Sequence, residues 1–255
     1  MPYLFPFGEP VHRLEQQDKT PKQVFVLGVY ASAVHAKWIN HLGIVCQALA
    51  IASEPYIFWD GNTDEAASII SRIKIPQELG SLVLPNKHLN GTSSKVLSEN
   101  ILKPLGFTRK EAWLCDLLPE SRLNPRQQKV IAERYNPLIK QYGLNEVTVP
   151  IEDGKFCDAA RREKITQEIL SSQAETLVLL GDVPIKQYLR HVSDIDFGSL
   201  RELTEKHIYG EPVRVRIDGR SIDVVALAHP RQIGGLGSSS QFWFDEHKKW
   251  ERIPR

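Results

Sequence analysis

Four polar clusters follow apolar runs in this chain, and each holds groups able to bind or activate a ligand. They are Gly28-Val29-Tyr30-Ala31-Ser32-Ala33-Val34-His35, Asp116-Leu117-Leu118-Pro119-Glu120-Ser121-Arg122, Gly181-Asp182-Val183-Pro184 and His229-Pro230-Arg231-Gln232. In an open parallel sheet the residues just past the carboxyl ends of the strands surround the ligand, where backbone amides and helix N-termini face it. His229 can donate to negative charge developing on an oxygen, as neutral or charged imidazole, or can simply cap its loop. Asp116, when ionised, only accepts hydrogen bonds and repels a carbonyl unless burial protonates it; the alternative is a cap for the turn into Leu117-Leu118-Pro119.

Further along, Gly234-Gly235-Leu236-Gly237-Ser238-Ser239-Ser240 precedes a helix whose N-terminus could take a phosphate, and it reads equally as a plain flexible loop. Phe58 or Tyr56 could stack on a planar ligand or belong to the core. Neither Gly-x-Gly-x-x-Gly nor the P-loop pattern occurs, which removes most of the case for dinucleotide or P-loop chemistry. His35, His41 and His229 lack the helical spacing and the accompanying carboxylate of a zinc site. Cys46, Cys115 and Cys157 are too scattered for a disulfide framework, a metal pair or an iron-sulfur cluster. No metal or cofactor is expected.

These residues need a frame. The 255 residues are 42% hydrophobic and 25% charged, enough for a substantial core, and 32 Lys and Arg balance 31 Asp and Glu. Without a global basic field, any contact with nucleic acid must be local. The N-terminal residues lack a basic leader pattern and no run approaches eighteen apolar residues, so the expectation is a cytoplasmic chain in a reducing compartment, away from membranes.

Apolar runs at 23–28, 56–59, 112–117, 176–181 and 222–228 predict strands buried on both faces, as in a parallel sheet. Alternation through 213–217, followed by Asp218-Gly219, predicts a hairpin added at one edge. Asn124, with Pro125 and Gln127 behind it, predicts a capped helix start, and Asp158 a second, with Ile165 and Ile169 facing the core. Val96, Leu97 and Ile101 mark a third helix. A last one over 240–250 puts Trp243, His247 and Trp250 on one packing face. The alternation of strands and helices predicts an α/β protein: a single domain over 1–255, core about 22–250, built as a three-layer α/β/α sandwich with a mostly parallel central sheet.

The order of motifs resembles the uracil-DNA glycosylase superfamily, over most of the chain from Val24 to Trp250. Val26-Leu27-Gly28 and its turn look like the first motif of that superfamily. Asn90-Gly-Thr-Ser-Ser-Lys-Val-Leu97, Leu105-Gly-Phe-Thr-Arg109-Lys-Glu111 and Trp113-Leu-Cys-Asp116 look like its central helix, turn and strand. Leu177-Val-Leu-Leu-Gly181 looks like its penultimate core strand, and Ala228-His229-Pro230 like its second motif.

The resemblance implies a uracil-DNA glycosylase-like fold and metal-free hydrolysis of the bond between a flipped-out, deaminated or damaged base and its deoxyribose, as in base-excision DNA repair. It makes His229 the donor to the departing base and puts Tyr30 where better-known branches carry the Asp or Asn that holds water. Ala31-Ser-Ala-Val-His35 is similar to branches with small apolar residues there, and Thr92 replaces a carboxylate that such branches carry. Asp116 stands where an Asn often reads the base edge. Gly28, Val29, Ser32, His35 and Phe58 would line the base, Arg231, Ser238 and Lys95 would hold phosphates, and Leu236 would be an apolar wedge in the duplex. The expected partner is DNA, bound by a monomer. Two alternatives stay open: a catalytically impaired nucleic-acid-binding module of the same fold, and a small-molecule hydrolase or transferase using the same edge.

Overall fold

A computed structural model describes residues 2–86, 89–236 and 239–253. Among the described residues there are eight strands: β1 Val24–Tyr30, β2 Ala33–Asn40, β3 Gly43–Ser53, β4 Ser81–Val83, β5 Ala112–Leu118, β6 Thr176–Leu180, β7 Val213–Ile217 and β8 Arg220–Leu227. The chain divides into two compact units. One comprises Glu15–Tyr30, Thr92–Leu118 and Lys155–Arg255, the other Met1–Leu14, Ala31–Gly91 and Pro119–Gly154.

The first unit is an α/β structure on a five-stranded sheet of order β5-β1-β6-β8-β7. The first four strands are mutually parallel, and β7 is antiparallel to β8. Val24 to Leu27 of β1 and Leu177 to Leu180 of β6 are buried without interruption, the pattern of strands covered on both faces. Between β7 and β8 both Asp218 (φ 47°) and Gly219 (φ 79°) are left-handed, as the two-residue turn predicted from Asp-Gly requires.

The helices of this unit follow their caps. The Asp158 carboxylate accepts from the Arg161 N–H at 2.8 Å and starts the helix Ala159–Ser172, which buries Ile165 and Ile169. The helix Thr92–Val96 runs on through a wider turn, Leu97–Leu102, that buries Leu97, Ile101 and Leu102. The helix Ser240–Glu251 buries Trp243, His247 and Trp250, and the Trp250 indole donates to the Gly210 carbonyl at 3.0 Å. No helix among the described residues is long and apolar enough to cross a membrane.

The second unit holds an antiparallel sheet of order β3-β2-β4. Its core gathers Ala36, Trp38, Leu49 and Ile51 with Phe5, Ile131 and Tyr135. The Asn124 carboxamide accepts from the N–H groups of Arg126 and Gln127, and the Gln127 carbonyl oxygen accepts from the Asn124 N–H, so the predicted cap forms as a complete capping box.

Two expectations are corrected here. Residues 56–59 are a turn and not a strand: Pro55 offers no N–H for a ladder, Phe58 has φ 50°, and Trp59 is buried beside Val34, Ala52 and Ala66 with its indole on Glu65. The turn after Gly28 also stops sooner than expected. Ala33 opens β2, so His35 is a strand residue paired with Ala50.

Candidate functional site

Because β1, β5, β6 and β8 are parallel, their carboxyl ends share one edge of the sheet. In chain order within this unit, β5 is added on one side of β1 and β6 and β8 on the other, so the connections change direction at β1 and β6. Ligands of open α/β sheets bind outside the carboxyl ends at such a switch point. Gly28, Val29 and Tyr30 close β1, Gly181 follows β6, Asp116 lies near the end of β5 and His229 stands two residues past β8. Gly181, at φ 97°, takes a backbone conformation that suits only glycine, and a Cβ there would sit 3.5 Å from that of His229. The Gly181 N–H donates to the Leu227 carbonyl at 2.8 Å, which holds the ends of β6 and β8 together.

His229 caps the short helix Pro230–Ile233, its Nδ1 accepting from the Arg231 N–H at 3.2 Å. That bond fixes the tautomer, since a ring that accepts at Nδ1 carries its proton at Nε2. Burial drives the imidazole down to about 4, and the Arg231 charge pushes the same way. The side chain is therefore a neutral donor through Nε2–H, and among the described residues no hydrogen bond uses that proton.

The residue before it is tied down independently. The Ala228 N–H donates to the Tyr209 hydroxyl at 2.9 Å, and that hydroxyl lies 3.1 Å from Nδ1 of His247. His247 Nε2 is 2.8 Å from the Asn100 carbonyl, which can only accept, so Nε2 is the donor there and Nδ1 receives the tyrosine proton. A continuous chain of bonds thus joins the end of β8 to the terminal helix. Sequence reasoning took His247 for a packing residue and missed Tyr209. A histidine on a buried aromatic helix face was the available signal, because both its nitrogens must find partners.

At the other end of the edge, Asp116 pairs in register with Gly28 and is only 4% exposed. Burial pushes its carboxyl up to about 7, with the Arg161 guanidinium pulling the other way. Arg161, from the first turn of the helix Ala159–Ser172, grips the main chain of β5: its guanidinium donates to the carbonyls of Asp116 at 2.6 Å and Leu117 at 3.0 Å and lies 3.2 Å from Glu168. Tyr30 stacks on Phe156, the ring centroids 6.2 Å apart at 14°. Neither Arg161 nor Phe156 carried a sequence signal.

The remaining candidates divide. Arg231 is exposed and Leu236 half-buried, and the Leu236 N–H donates to the Arg231 carbonyl, so this part of the loop folds back on its helix. Gly234 packs against Val96 and Thr92 of the central helix, and Lys95 is exposed on that helix. Ser238 lies outside the described residues. Ser32, His35 and Phe58 belong to the other unit. There the Ser32 carbonyl accepts from the Ser121 hydroxyl, and Asn90 holds both backbone groups of His35, at 2.9 and 3.1 Å. Gln127 faces Nε2 of His35 at 2.8 Å, and with its oxygen committed to Asn124 it must donate there from its NH2.

Among the described residues no group of three or more His, Cys, Asp or Glu could hold a metal ion. No protein-family model matches the chain, and no curated protein matches it.

Proposed function

We propose that this chain is a DNA N-glycosylase of uracil-DNA glycosylase type, acting on a deaminated or damaged base, with the corresponding three-layer fold. The observation that carries the reading is the His229 imidazole: neutral, pinned at Nδ1 by the Arg231 N–H, and left with an Nε2–H donor at the switch-point edge of a parallel sheet. Breaking an N-glycosidic bond puts positive charge on the sugar and negative charge on the departing base. A neutral donor aimed at a base oxygen stabilises the latter without first having to lose a proton. Arg231, Lys95 and the Ser238 region would hold the phosphates, and Leu236 would fill the gap left in the stack.

A second reading has its own support. The end of β1 offers Tyr30, its ring stacked on Phe156, and neither Gly28 nor Val29 carries an acid or base to hold water. A protein that captures an extruded base without cleaving it fits that feature.

Incubation with oligonucleotides that each carry one lesion, followed by an assay for abasic sites, separates the readings. Abasic-site formation on at least one lesion is expected. DNA affinity without cleavage on any lesion favours the binding module, and no DNA binding even at low salt sinks both readings in favour of a small-molecule enzyme.

A further inference from the structure

Tyr209 and His247 take no part in the chemistry proposed above, yet the main chain that carries its donor hangs on them. Only Ala228 separates the last residue of β8 from His229. The bond from Gly181 to the Leu227 carbonyl ties the strand as far as its end, and Pro230, on the other side of His229, has no N–H to offer. The chain entering His229 therefore takes its direction from the Ala228 N–H, whose acceptor is the Tyr209 hydroxyl at 2.9 Å. Tyr209 and His247 are both buried. By handing its proton to Nδ1 of His247, the hydroxyl is held in one rotation and becomes a better acceptor, since hydrogen bonds in a chain polarise one another.

The far end of the chain lands on the helical segment 92–102. His247 Nε2 donates to the Asn100 carbonyl at 2.8 Å, and the Asn100 carboxamide donates to Glu251 at 2.8 Å, so the terminal helix meets this residue twice. The short helix that follows His229 meets the same segment at a second place: a Cβ on Gly234 would lie 3.3 Å from the Val96 side chain and 3.7 Å from that of Thr92. Thr92 and Asn100 are roughly 12 Å apart along a helix. Two anchors at that spacing fix both the place and the rotation of the segment that carries the imidazole.

We propose that Tyr209 and His247 are positioning residues, which aim the His229 Nε2–H at the departing base without touching substrate. The inference rests on the reading above in one respect, that His229 is the donor. A donor to developing charge acts mainly in the transition state, so misplacing it lowers kcat more than it weakens binding. Displacement of a reacting group by about 1 Å can cost on the order of a hundredfold in rate. A role confined to scaffolding predicts something else: lower stability, with the chemistry of the folded protein unchanged.

The test compares the full wild-type chain with Tyr209→Phe and His247→Leu, each labelled with 15N on histidine. Ring-nitrogen NMR of the wild type should show both His229 and His247 protonated at Nε2 and bare at Nδ1. In Tyr209→Phe the His229 signals should move toward the average of the two tautomers, as the Arg231 N–H loses its hold on Nδ1. Single-turnover abasic-site formation should fall about ten- to a hundredfold in either variant, with the dissociation constant for the lesion DNA within about twofold of wild type. The double variant should be no slower than the slower single one, because the pair acts as a unit. His247→Asn, whose carboxamide oxygen can replace Nδ1 as acceptor, should recover most of what His247→Leu loses. Turnover of Tyr209→Phe within about twofold of wild type, or unmoved His229 signals, would overturn the proposal. Should Tyr209→Phe not fold, the two His247 variants carry the same comparison, and a wild-type His247 protonated at Nδ1 is refutation without any variant. The two readings stay distinguishable: a wild type that cleaves no lesion removes the glycosylase and leaves the ring signals to decide the positioning, whereas cleavage with unmoved ring signals removes the positioning alone.

Discussion

Asp116 and His229 make opposite contributions to stability on the acid side of neutrality, and removing either should expose the other. The imidazole sits at about 4 in the fold against 6.5 in the open chain, so between those values the unfolded chain binds the proton more readily and stability falls as the pH falls. Asp116, at about 7 in the fold against 3.8, binds its proton first in the folded state, so its contribution rises as the pH falls through that window. Each slope is about 1.4 kcal/mol per pH unit. Complete passage through its window makes His229 cost about 3 kcal/mol and returns about 4 kcal/mol from Asp116. Between 4 and 6.5 the windows overlap and the two slopes cancel. Urea unfolding at about pH 4.5, 5.5, 6.5 and 7.5, with each variant compared to wild type so that all other groups drop out, measures the pair directly. Asp116→Asn should lose about 1.4 kcal/mol relative to wild type for each unit the pH is lowered, and His229→Asn should gain as much below 6.5. Differences from wild type that do not change with pH would refute the reasoning, since the carboxyl would then be ionised, or the imidazole charged, in the fold.

Three further outcomes are expected. His229→Ala should lower turnover by about a hundredfold or more, as loss of a transition-state donor does, while leaving the far-UV circular dichroism unchanged; unaltered abasic-site formation would remove His229 from the chemistry. Tyr209→Phe keeps the ring that stacks on Trp243 but strips the hydroxyl from the Ala228 N–H and from His247, so it should cost about 1–3 kcal/mol in chemical denaturation. A wild-type unfolding midpoint would show that the bond chain carries little. Leu236→Ala should weaken capture of a lesion in duplex DNA much more than in a single strand, where little stacking must be broken, and equal losses in a paired binding assay would make Leu236 an ordinary loop residue.

What the sequence disclosed follows from how local its signals were. Four of the five continuous apolar runs became strands of the parallel sheet, because Val, Ile and Leu buried on both faces leave little choice of structure. Asn124, Asp158 and Asp218-Gly219 declared their caps and turn through side-chain chemistry that acts within three residues. The hairpin of β2 and β3 stayed hidden because β3 is rich in alanine, a residue poorly suited to strands, and because Ala33 to His35 resembled a turn motif. Burial alternates along β2, with Ala36 and Trp38 inside and His35 and Lys37 less so, and that pattern was available to be read. Of the site, the order Gly28, Asp116, Gly181, His229 could be read from the positions after strands. The tautomer of His229, the grip of Arg161 on β5 and the link from Tyr209 to His247 depend on contacts between residues tens of positions apart, which no local pattern encodes.

The bond chain from β8 to the terminal helix also sets a timetable for the nascent polypeptide. Gly28 leaves the ribosome early, yet β1 must wait for β5 and then β6 to flank it, and Ala228 gains the Tyr209–His247 tether only once the helix Ser240–Glu251 has been made. Roughly 200 residues separate the first of these groups from the last, which at about 5–20 residues per second is on the order of ten to forty seconds of synthesis. Until β5 and then β6 have been made, β1 is an unpaired, largely apolar strand, so the half-made chain is a form of this protein exposed to aggregation and dependent on chaperones.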